Sequence, residues 1–293
     1  MAHLAAQGMD LPGYVEQEFE DHLKCGRLEH RFLRLSWRRM KTILLQSYRT
    51  HDVPAWMAAS MASVRAWGQG QGWDYEFMDD AFFTLAPDWV RERCAGNLYA
   101  VTDLCRLAWL QSKLKQGFER AIWADADLLV FAPRTLRIAA GLGHGFASEL
   151  FLKVMPGGSA EPVYGVNNAL MAFERGDPML DAYLDACHAR LRALPPGPVP
   201  RTALGPAILT ELAAKHGLKR IEGVGLFSLA VMQDVARGDG AVLREYLRLS
   251  RVRPAAANHC HFLRNATPIA QRPQFDAVYD QAVQRLLATE GRF

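Results

Sequence analysis

The chain has 293 residues, of which 50% are hydrophobic, so it can bury a large core in one domain or in one domain with additions. Its net charge of +3 is too small to indicate a nucleic-acid partner, although it allows an anionic substrate or light contact with an acidic membrane surface. Five scattered cysteines without a C-x-x-C pair exclude a zinc knuckle and a disulfide framework, and they favour a reducing cytoplasm. No apolar run approaches the roughly 20 residues of a spanning helix, and no secretion signal is expected.

Residues 1–39 differ in pattern from the rest of the chain, and we predict an N-terminal extension of a single domain over residues 40–293. Leu11–Glu20 together with Leu23–His30 resembles the N-terminal region of certain insertion-sequence transposases, and the resemblance stops near Ser36. The cysteine-rich zinc cluster that comes next in those proteins is absent from this sequence, so we interpret the segment as a fused remnant. The alternative is a helical arm that binds a membrane or a partner.

From residue 41 onwards the pattern predicts a strand, a helix and a second strand. Thr42–Tyr48 is a short apolar run typical of a strand buried on both faces. Asp52 is a candidate N-cap for a helix with Pro54 in its first turn, and the glycine-rich stretch Gly68–Gly72 is expected to end that helix. Trp73–Phe77 then alternates like a strand. This order is the opening unit of a parallel sheet of the nucleotide-binding type.

A helix is predicted over Asn97–Lys115, and it carries one charged pair of interest. Asp103 and Arg106 are three residues apart and therefore share a face of the helix. One interpretation is a surface ion pair, which contributes little to stability. The other is that both side chains point at the ligand of the acidic residues in the next strand, since the helix leads directly into that strand.

The central stretch of the chain places two aspartates between apolar segments. Ala121–Ala124 predicts a buried strand, Asp125 and Asp127 come after it, and Leu128–Phe131 is again apolar. Because residues i and i+2 of an extended chain point to the same side, both carboxylates face one spot at a sheet edge where ligands bind in α/β folds. Two hard oxygen donors suit Mg²⁺ or Mn²⁺ shared with a diphosphate. A solvated turn is the alternative, and the apolar continuation counts against it.

Further candidates lie in the second half of the chain. Asn167 and Asn168 precede an apolar strand, where their amides either cap a turn or bind hydroxyls. His259 and His261 place two imidazoles one residue apart, which modestly favours a metal site over a structural role. The remaining predicted elements are a short helix or turn at 133–141, a strand at 145–150, and helices at 177–194 and 207–216.

Taken in order, these residues resemble the sugar-nucleotide-dependent glycosyltransferases of family 32, which have a DXD sugar-binding region. The likeness to family 8 and to the glucosylating domains of large clostridial toxins is more distant. The resemblance covers roughly residues 40–265 and is carried by Gln46-Ser47-Tyr48, Asp103-x-x-Arg106, Gly117, Asp125-x-Asp127, Asn167-Asn168, Gly205-Pro206 and His259-x-His261. It implies an α/β fold of the GT-A type, with a Rossmann-like nucleotide-binding half, a mixed central sheet and helices on both faces.

The resemblance also implies a role for each matching residue. Mn²⁺ or Mg²⁺ would be held by Asp127, with Asp125 contacting the ribose or sugar and sharing the metal site. His259 would complete the metal shell or touch the diphosphate, and His261 is the alternative because Cys260 and His261 replace the usual aromatic residue. The other implied roles are hydrogen bonding to the donor sugar by Asp103, contact with the sugar or a phosphate by Arg106, a position near the reacting face of the sugar for Asn168, and a border along the base for Gln46, Ser47 and Tyr48.

The function implied is transfer of a hexose from a nucleotide sugar, with a UDP or GDP carrier, to a glycan or lipid-linked acceptor with retention of configuration. Such enzymes act in bacterial capsule or lipopolysaccharide biosynthesis, so a cytoplasmic protein, peripheral at the inner face of the membrane, is expected.

One alternative is a haloacid-dehalogenase-like phosphatase with Asp125 as nucleophile, but its motif usually lies near the N-terminus, and Leu129 stands where it has Thr or Val. The other is an inactive transferase-like binding protein, or a DNA-associated module if residues 1–39 matter.

Overall fold

The computed structural model describes residues 40–154 and 160–292, so the predictions made for residues 1–39 lie outside the described residues. The second of the chain's two units, Lys41–Phe293, holds every described residue except Met40. Its strands are β1 (Thr42–Ser47), β2 (Asp74–Met78), β3 (Arg120–Ala124), β4 (Leu128–Val130), β5 (His144–Val154), β6 (Ala160–Glu174), β7 (Arg220–Ile221), β8 (Val224–Leu226) and β9 (Ala256–Asn258). Its α-helices are α1 (Ala55–Gln71), α2 (Asp88–Arg93), α3 (Leu98–Lys115), α4 (Met179–Ala193), α5 (Pro206–His216), α6 (Leu229–Arg237), α7 (Ala241–Leu249), α8 (Phe262–Ala266) and α9 (Arg272–Thr289).

Six of the strands form a mixed central sheet in the order β2-β1-β3-β6-β5-β7. Strands β2, β1 and β3 run parallel to one another, and β6 is antiparallel to both β3 and β5. A small second sheet has the order β4-β9-β8. The prediction of an α/β fold with a mixed central sheet is confirmed.

Helices cover both faces of the central sheet, as predicted. Alternate residues of β1 enter different hydrophobic clusters, because successive side chains of a strand point to opposite faces. Leu44 packs with residues of α1, α6 and α9, whereas Ile43 and Leu45 pack with residues of α3, α4 and α5. None of the described helices is both long enough and apolar enough to cross a membrane.

The first helix differs from its prediction at the N-terminal end only. It ends at Gln71 with Gly72 as its C-cap, so the prediction that the stretch Gly68–Gly72 ends it is confirmed, and Gly68 lies in its last turn. A Cβ at Gly68 would come 2.7 Å from the Leu44 Cδ2 atom, so the glycine allows α1 to pack closely on β1. The prediction of Asp52 as N-cap is wrong, because Pro54 occupies that position without a side-chain bond. Residues 133–141 form turns and no helix, and the predicted strand at 145–150 is longer than expected. Asn167 and Asn168 lie inside β6, so the prediction that they precede a strand is wrong.

The segment from α3 to β3 brings two sets of predicted site residues to the same end of the sheet. The Asn97 side chain caps α3 by accepting hydrogen bonds from the backbone N–H groups of Tyr99 and Ala100. Helix and strand are joined by a short turn with Gly117 at a φ of 104°, a conformation that favours glycine. From Asp103 to the end of α3 the helix extends over 12 residues, a length of about 18 Å. The five residues of β3 run back over about 16 Å, so Asp103 lies level with the carboxyl end of β3.

A register shift between β5 and β6 leaves the segment around Asn168 without a partner on β5. Phe146 pairs with Met171, whereas the next residue, Ala147, pairs with Asn167. Residues 168–170 therefore have no partner on β5, although β6 continues to pair with β3 through Leu170. This bulge places Asn168 beside the carboxyl end of β3.

Candidate active site

A cavity of about 790 Å³ opens where β1 and β3 end. That volume lies in the usual range for small-molecule sites, roughly 300–1,000 Å³. Eight of the ten predicted site residues line the cavity, namely Ser47, Tyr48, Asp103, Arg106, Asp125, Asp127, Asn168 and His261. The other two, Gln46 and His259, do not.

Arg106 links the two acidic motifs from a buried position. Its Nη1 lies 3.0 Å from Asp125 Oδ1, and its Nη2 lies 3.2 Å from Asp103 Oδ1. Nη1 also donates a hydrogen bond to the Asn168 carbonyl oxygen at 3.2 Å, and the guanidinium carbon lies 5.2 Å from the centre of the Trp123 ring. The side chains of Arg106 and Asp103 are 8% and 10% exposed, which rules out the alternative of a surface ion pair.

Asp103 is a carboxylate held inside the protein. Burial raises its pKa to about 6, against the opposing effects of Arg106 and of Asn168, whose Nδ2 donates a hydrogen bond to Oδ1 at 3.0 Å. A Cβ at Gly205 would lie 3.0 Å from Asp103 Oδ2 and 3.1 Å from Asn168 Nδ2. The Gly205 backbone therefore packs against both side chains, and only a glycine fits there without displacing them.

Asp125 is fixed by the core on one side and open on the other. The Trp123 indole donates to Asp125 Oδ1 at 2.6 Å, and Arg106 pairs with the same oxygen. The Asp125 backbone N–H donates to the Ala169 carbonyl at 2.7 Å. Among the described residues, no hydrogen bond or ion pair reaches Oδ2. This oxygen is therefore the one that can bind a ligand.

Asp127 is enclosed by the end of β9 and the residues that come after it. Its Oδ1 accepts a hydrogen bond from Asn258 Nδ2 at 2.8 Å, and its Oδ2 accepts one from the His261 backbone N–H at 2.7 Å. Pairing of β4 with β9 sets Leu128 opposite Asn258 and so brings these residues together. Burial, and then the charge of Asp125, raise the pKa of Asp127 to about 7. Two carboxylates that repel each other in this way would both be stabilised by a cation.

The two predicted histidines occupy different environments. His261 lines the cavity, and its Nε2 lies 3.1 Å from the Tyr48 hydroxyl oxygen. Burial lowers the pKa of His261 to about 4, so the ring is neutral at pH 7. His259 is fully buried among the rings of Trp56, Phe227 and Tyr279, and neither ring nitrogen has a partner among the described residues. The structure therefore brings His261, and not His259, to the carboxylates.

Gln46 does not reach the cavity, and it contacts the backbone of Asp125 instead. It is fully buried, its Nε2 donates to the Asp125 carbonyl oxygen at 3.2 Å, and its Oε1 accepts a hydrogen bond from the Tyr75 hydroxyl at 3.1 Å. Its neighbours Ser47 and Tyr48 reach the cavity. Gln46 therefore holds the turn after β3 in place, whereas the next two residues are the ones that can border a ligand.

The carboxylates fit a hard divalent cation that is shared with a substrate. No group of three or more His, Cys, Asp or Glu residues suited to holding a metal ion occurs in the described part of the chain. Mg²⁺ and similar ions are often held by one or two carboxylates together with substrate phosphates, and do not require a complete protein cage. The open Oδ2 of Asp125 and the ionised form of Asp127 are donors of the right kind for such a site.

Several residues at the cavity have no signal in the sequence analysis. Asn258 holds Asp127 from 131 residues away, and Glu149 lines the cavity while accepting a hydrogen bond from Asn167 Nδ2 at 3.3 Å. Burial raises the pKa of Glu149. Trp123 also lines the cavity, and it could have been identified from the sequence. It precedes Asp125 by two residues, and an extended chain places two such residues on the same side.

Comparisons with known proteins find relatives only among solved structures. No family model and no curated protein matches the chain. A glycosyltransferase involved in the glycosylation of the major capsid of PBCV-1 is 11% identical, with 82% of this chain and 98% of that chain covered and a TM-score of 0.42. The galactosyltransferase LgtC, in complex with donor and acceptor sugar analogs, is 12% identical, with 83% and 95% covered and a TM-score of 0.39. With TM-scores below 0.5, these likenesses do not establish an activity for this chain.

Trp123→Phe tests the hydrogen bond that orients Asp125. The substitution keeps an aromatic ring in the core, and it removes the indole N–H that donates to Oδ1 together with part of the ring. A hydrogen bond to a charged group contributes about 1.5–3 kcal/mol, so we expect turnover to fall at least about tenfold. Trp67→Phe is the matched control, because the Trp67 indole N–H is buried and has no partner among the described residues. Equal turnover of the two variants would contradict this role for Trp123.

Proposed function

We propose that the chain is a metal-dependent glycosyltransferase that transfers a hexose from a nucleotide sugar to a glycan or lipid-linked acceptor, with retention of configuration. The observation that supports it most is the meeting of Asp103, Arg106, Asp125 and Asp127 at one cavity. These are the residues of the two motifs that carry the resemblance to family 32. The GT-A type, the donor, the acceptor class and action at the inner face of the membrane come from that resemblance.

In the proposed mechanism the buried groups position the donor. Asp103 and Asn168 are already joined by a hydrogen bond, and they present an acceptor oxygen and amide hydrogens for the hydroxyls of the sugar. Arg106 is held by two carboxylates and remains charged, so its guanidinium is fixed in place before the substrate arrives. Pre-organised donors of this kind stabilise charge in the transition state without reorganising.

Asp125 and Asp127 would hold Mn²⁺ or Mg²⁺, with His261 beside them. Such a cation supplies charge stabilisation for a leaving diphosphate. The contribution of the chain is to orient the two carboxylates. Trp123 and Arg106 fix one of them, and Asn258 and the His261 backbone fix the other.

A screen of nucleotide sugars tests the proposal. Purified protein is incubated with UDP- and GDP-hexoses and Mn²⁺, and slow hydrolysis of the donor is followed by the nucleoside diphosphate released. We expect one donor to be turned over and the reaction to stop when a chelator removes the cation. Absence of turnover with every donor would contradict the proposal. A phosphorylated Asp125, trapped with a phosphate monoester, would support the phosphatase alternative instead.

A further inference from the structure

An arginine without a charged partner lies between two aromatic rings at the mouth of the cavity. The Arg201 guanidinium carbon is 4.4 Å from the ring centre of Phe262 and 5.8 Å from that of Tyr99. Arg201 is exposed, and the described residues offer it no hydrogen bond or ion pair. Tyr99, Arg201 and Phe262 come from three separate segments of the chain, and we refer to them as the rim cluster. All three line the cavity.

Each member of the rim cluster lies within four residues, along the chain, of a residue that belongs to or packs against the buried site. Tyr99 precedes Asp103 by four residues on α3, so it lies on the same face about 6 Å farther along the helix. Phe262 comes directly after His261. Arg201 precedes Gly205 by four residues, and Gly205 packs against Asp103. The rim cluster therefore adjoins the carboxylates of the buried site and lies on its solvent side.

The chemistry of the rim cluster is selective for one kind of group. A guanidinium is permanently charged, and its planar fork binds a carboxylate or a phosphate through two parallel hydrogen bonds. Stacking on an aromatic face orients the fork and leaves its edge free to donate. The Tyr99 ring is itself fixed, because its hydroxyl accepts a hydrogen bond from Asn265 Nδ2 at 3.3 Å.

We propose that the rim cluster is the acceptor subsite and that it recognises an anionic saccharide, one that carries a carboxylate or a phosphate. The term acceptor rests on the proposed function, whereas recognition of an anionic sugar by Arg201 does not depend on it. The aromatic rings would contact the apolar face of the sugar, and Arg201 would pair with its anionic group. This assignment narrows the acceptor class beyond a glycan or lipid-linked sugar.

Two matched pairs of probes test the subsite by binding. The first pair is methyl β-glucuronide and methyl β-glucoside, and the second is decyl phosphate-linked glucose and decyl glucoside. Dissociation constants are measured by ligand-observed NMR on the full chain. We expect the anionic member of at least one pair to bind about tenfold more tightly than its neutral counterpart. The pair that shows the preference identifies the anion as a carboxylate or a phosphate.

The variant Arg201→Gln removes the charge and should abolish that preference. Arg192→Gln is the matched control, because Arg192 is also exposed and lies 5.1 Å from the ring centre of Trp89, but neither residue lines the cavity. Equal binding of both members in both pairs, or a preference that survives in Arg201→Gln, would overturn the inference. Failure of donor hydrolysis in the wild type would instead count against the proposed function and leave the binding result intact.

Discussion

Asp127→Asn should reduce turnover of the nucleotide sugar by at least about 10²- to 10³-fold, which is the usual effect of removing one pre-organised charge-stabilising group. Asparagine matches aspartate in shape but offers no anionic oxygen, so the site would lose its buried carboxylate donor. Asp127 is 8% exposed, and the His261 backbone N–H and Asn258 fix its orientation. Initial rates of nucleoside diphosphate release at saturating Mn²⁺ measure the effect.

The same variant should not unfold more readily than wild type at pH 8 without metal. Burial and Asp125 raise the pKa of Asp127 to about 7, so the folded state binds a proton more tightly than the unfolded chain does. The stabilisation from that proton is present at low pH and is lost as the pH rises towards 7, which leaves a buried charge at pH 8. Asparagine removes this charge, and this gain offsets the loss of one hydrogen bond, because its amide nitrogen cannot accept from Asn258 or from the His261 N–H. A melting temperature well below that of wild type would mean that the loss of activity reflects misfolding.

Asp185→Asn is the control for charge alone, because Asp185 is exposed on α4. It should change neither turnover nor melting temperature. If Asp127→Asn kept the turnover rate of Asp185→Asn at saturating Mn²⁺, the assignment of the metal site would be wrong.

Arg106→Met should lower the free energy of unfolding by about 3–5 kcal/mol, because removing one partner from a buried ion pair leaves uncompensated charge inside the protein. Arg106 is 7% exposed and pairs with both Asp103 and Asp125. Methionine keeps an unbranched chain of similar length, so packing is disturbed less than charge. Chemical denaturation at pH 8 measures the loss, and donor turnover should disappear as well.

Arg91→Met provides a matched comparison. Arg91 also pairs with an aspartate three residues earlier on a helix, Asp88, but their side chains are 40% and 82% exposed. An exposed pair is worth at most about 1 kcal/mol, so this variant should remain close to wild type. Adding Asp103→Asn to Arg106→Met should recover part of the lost stability, because it removes one of the two unpaired carboxylates. Equal losses for Arg91→Met and Arg106→Met would contradict the buried arrangement.

The local patterns of the sequence were sufficient to predict the acidic part of the site. The i, i+2 spacing of Asp125 and Asp127 and the i, i+3 spacing of Asp103 and Arg106 depend only on strand and helix geometry. The elements that carry them are indicated by hydrophobic periodicity, which also predicted the α/β class. Spacing does not show that Arg106 bridges the two motifs, because that contact depends on how α3 packs back along β3.

The histidines show a choice that spacing alone left open. The alternation of an extended chain places His259 and His261 on the same side. In the structure β9 ends at Asn258 and Cys260 has a φ of 53°, so the alternation breaks between the two histidines. One ring enters the aromatic core and the other reaches the cavity. The positive φ of Cys260 could not be predicted from the sequence, because among non-glycine residues only Asn and Asp adopt this conformation readily.

Gly68 has a role in packing that the local rule does not show, although the helix ends within Gly68–Gly72 as predicted. A glycine-rich stretch predicts the end of a helix. Here the close approach of α1 to Leu44 on β1 requires a residue without a side chain, and the helix continues for three residues beyond Gly68. The glycine contributes to packing rather than to termination.

The central claim is that the two aspartates after β3 hold a nucleoside diphosphate through a divalent cation. Isothermal titration of UDP and GDP into the wild-type protein and into Asp127→Asn, each with Mn²⁺ and with a chelator, tests it most directly. We expect one of the two nucleotides to bind the wild-type protein only when Mn²⁺ is present, and to bind Asp127→Asn at least about tenfold more weakly. Binding that is equally tight in the chelator, or unchanged by the substitution, would contradict the account.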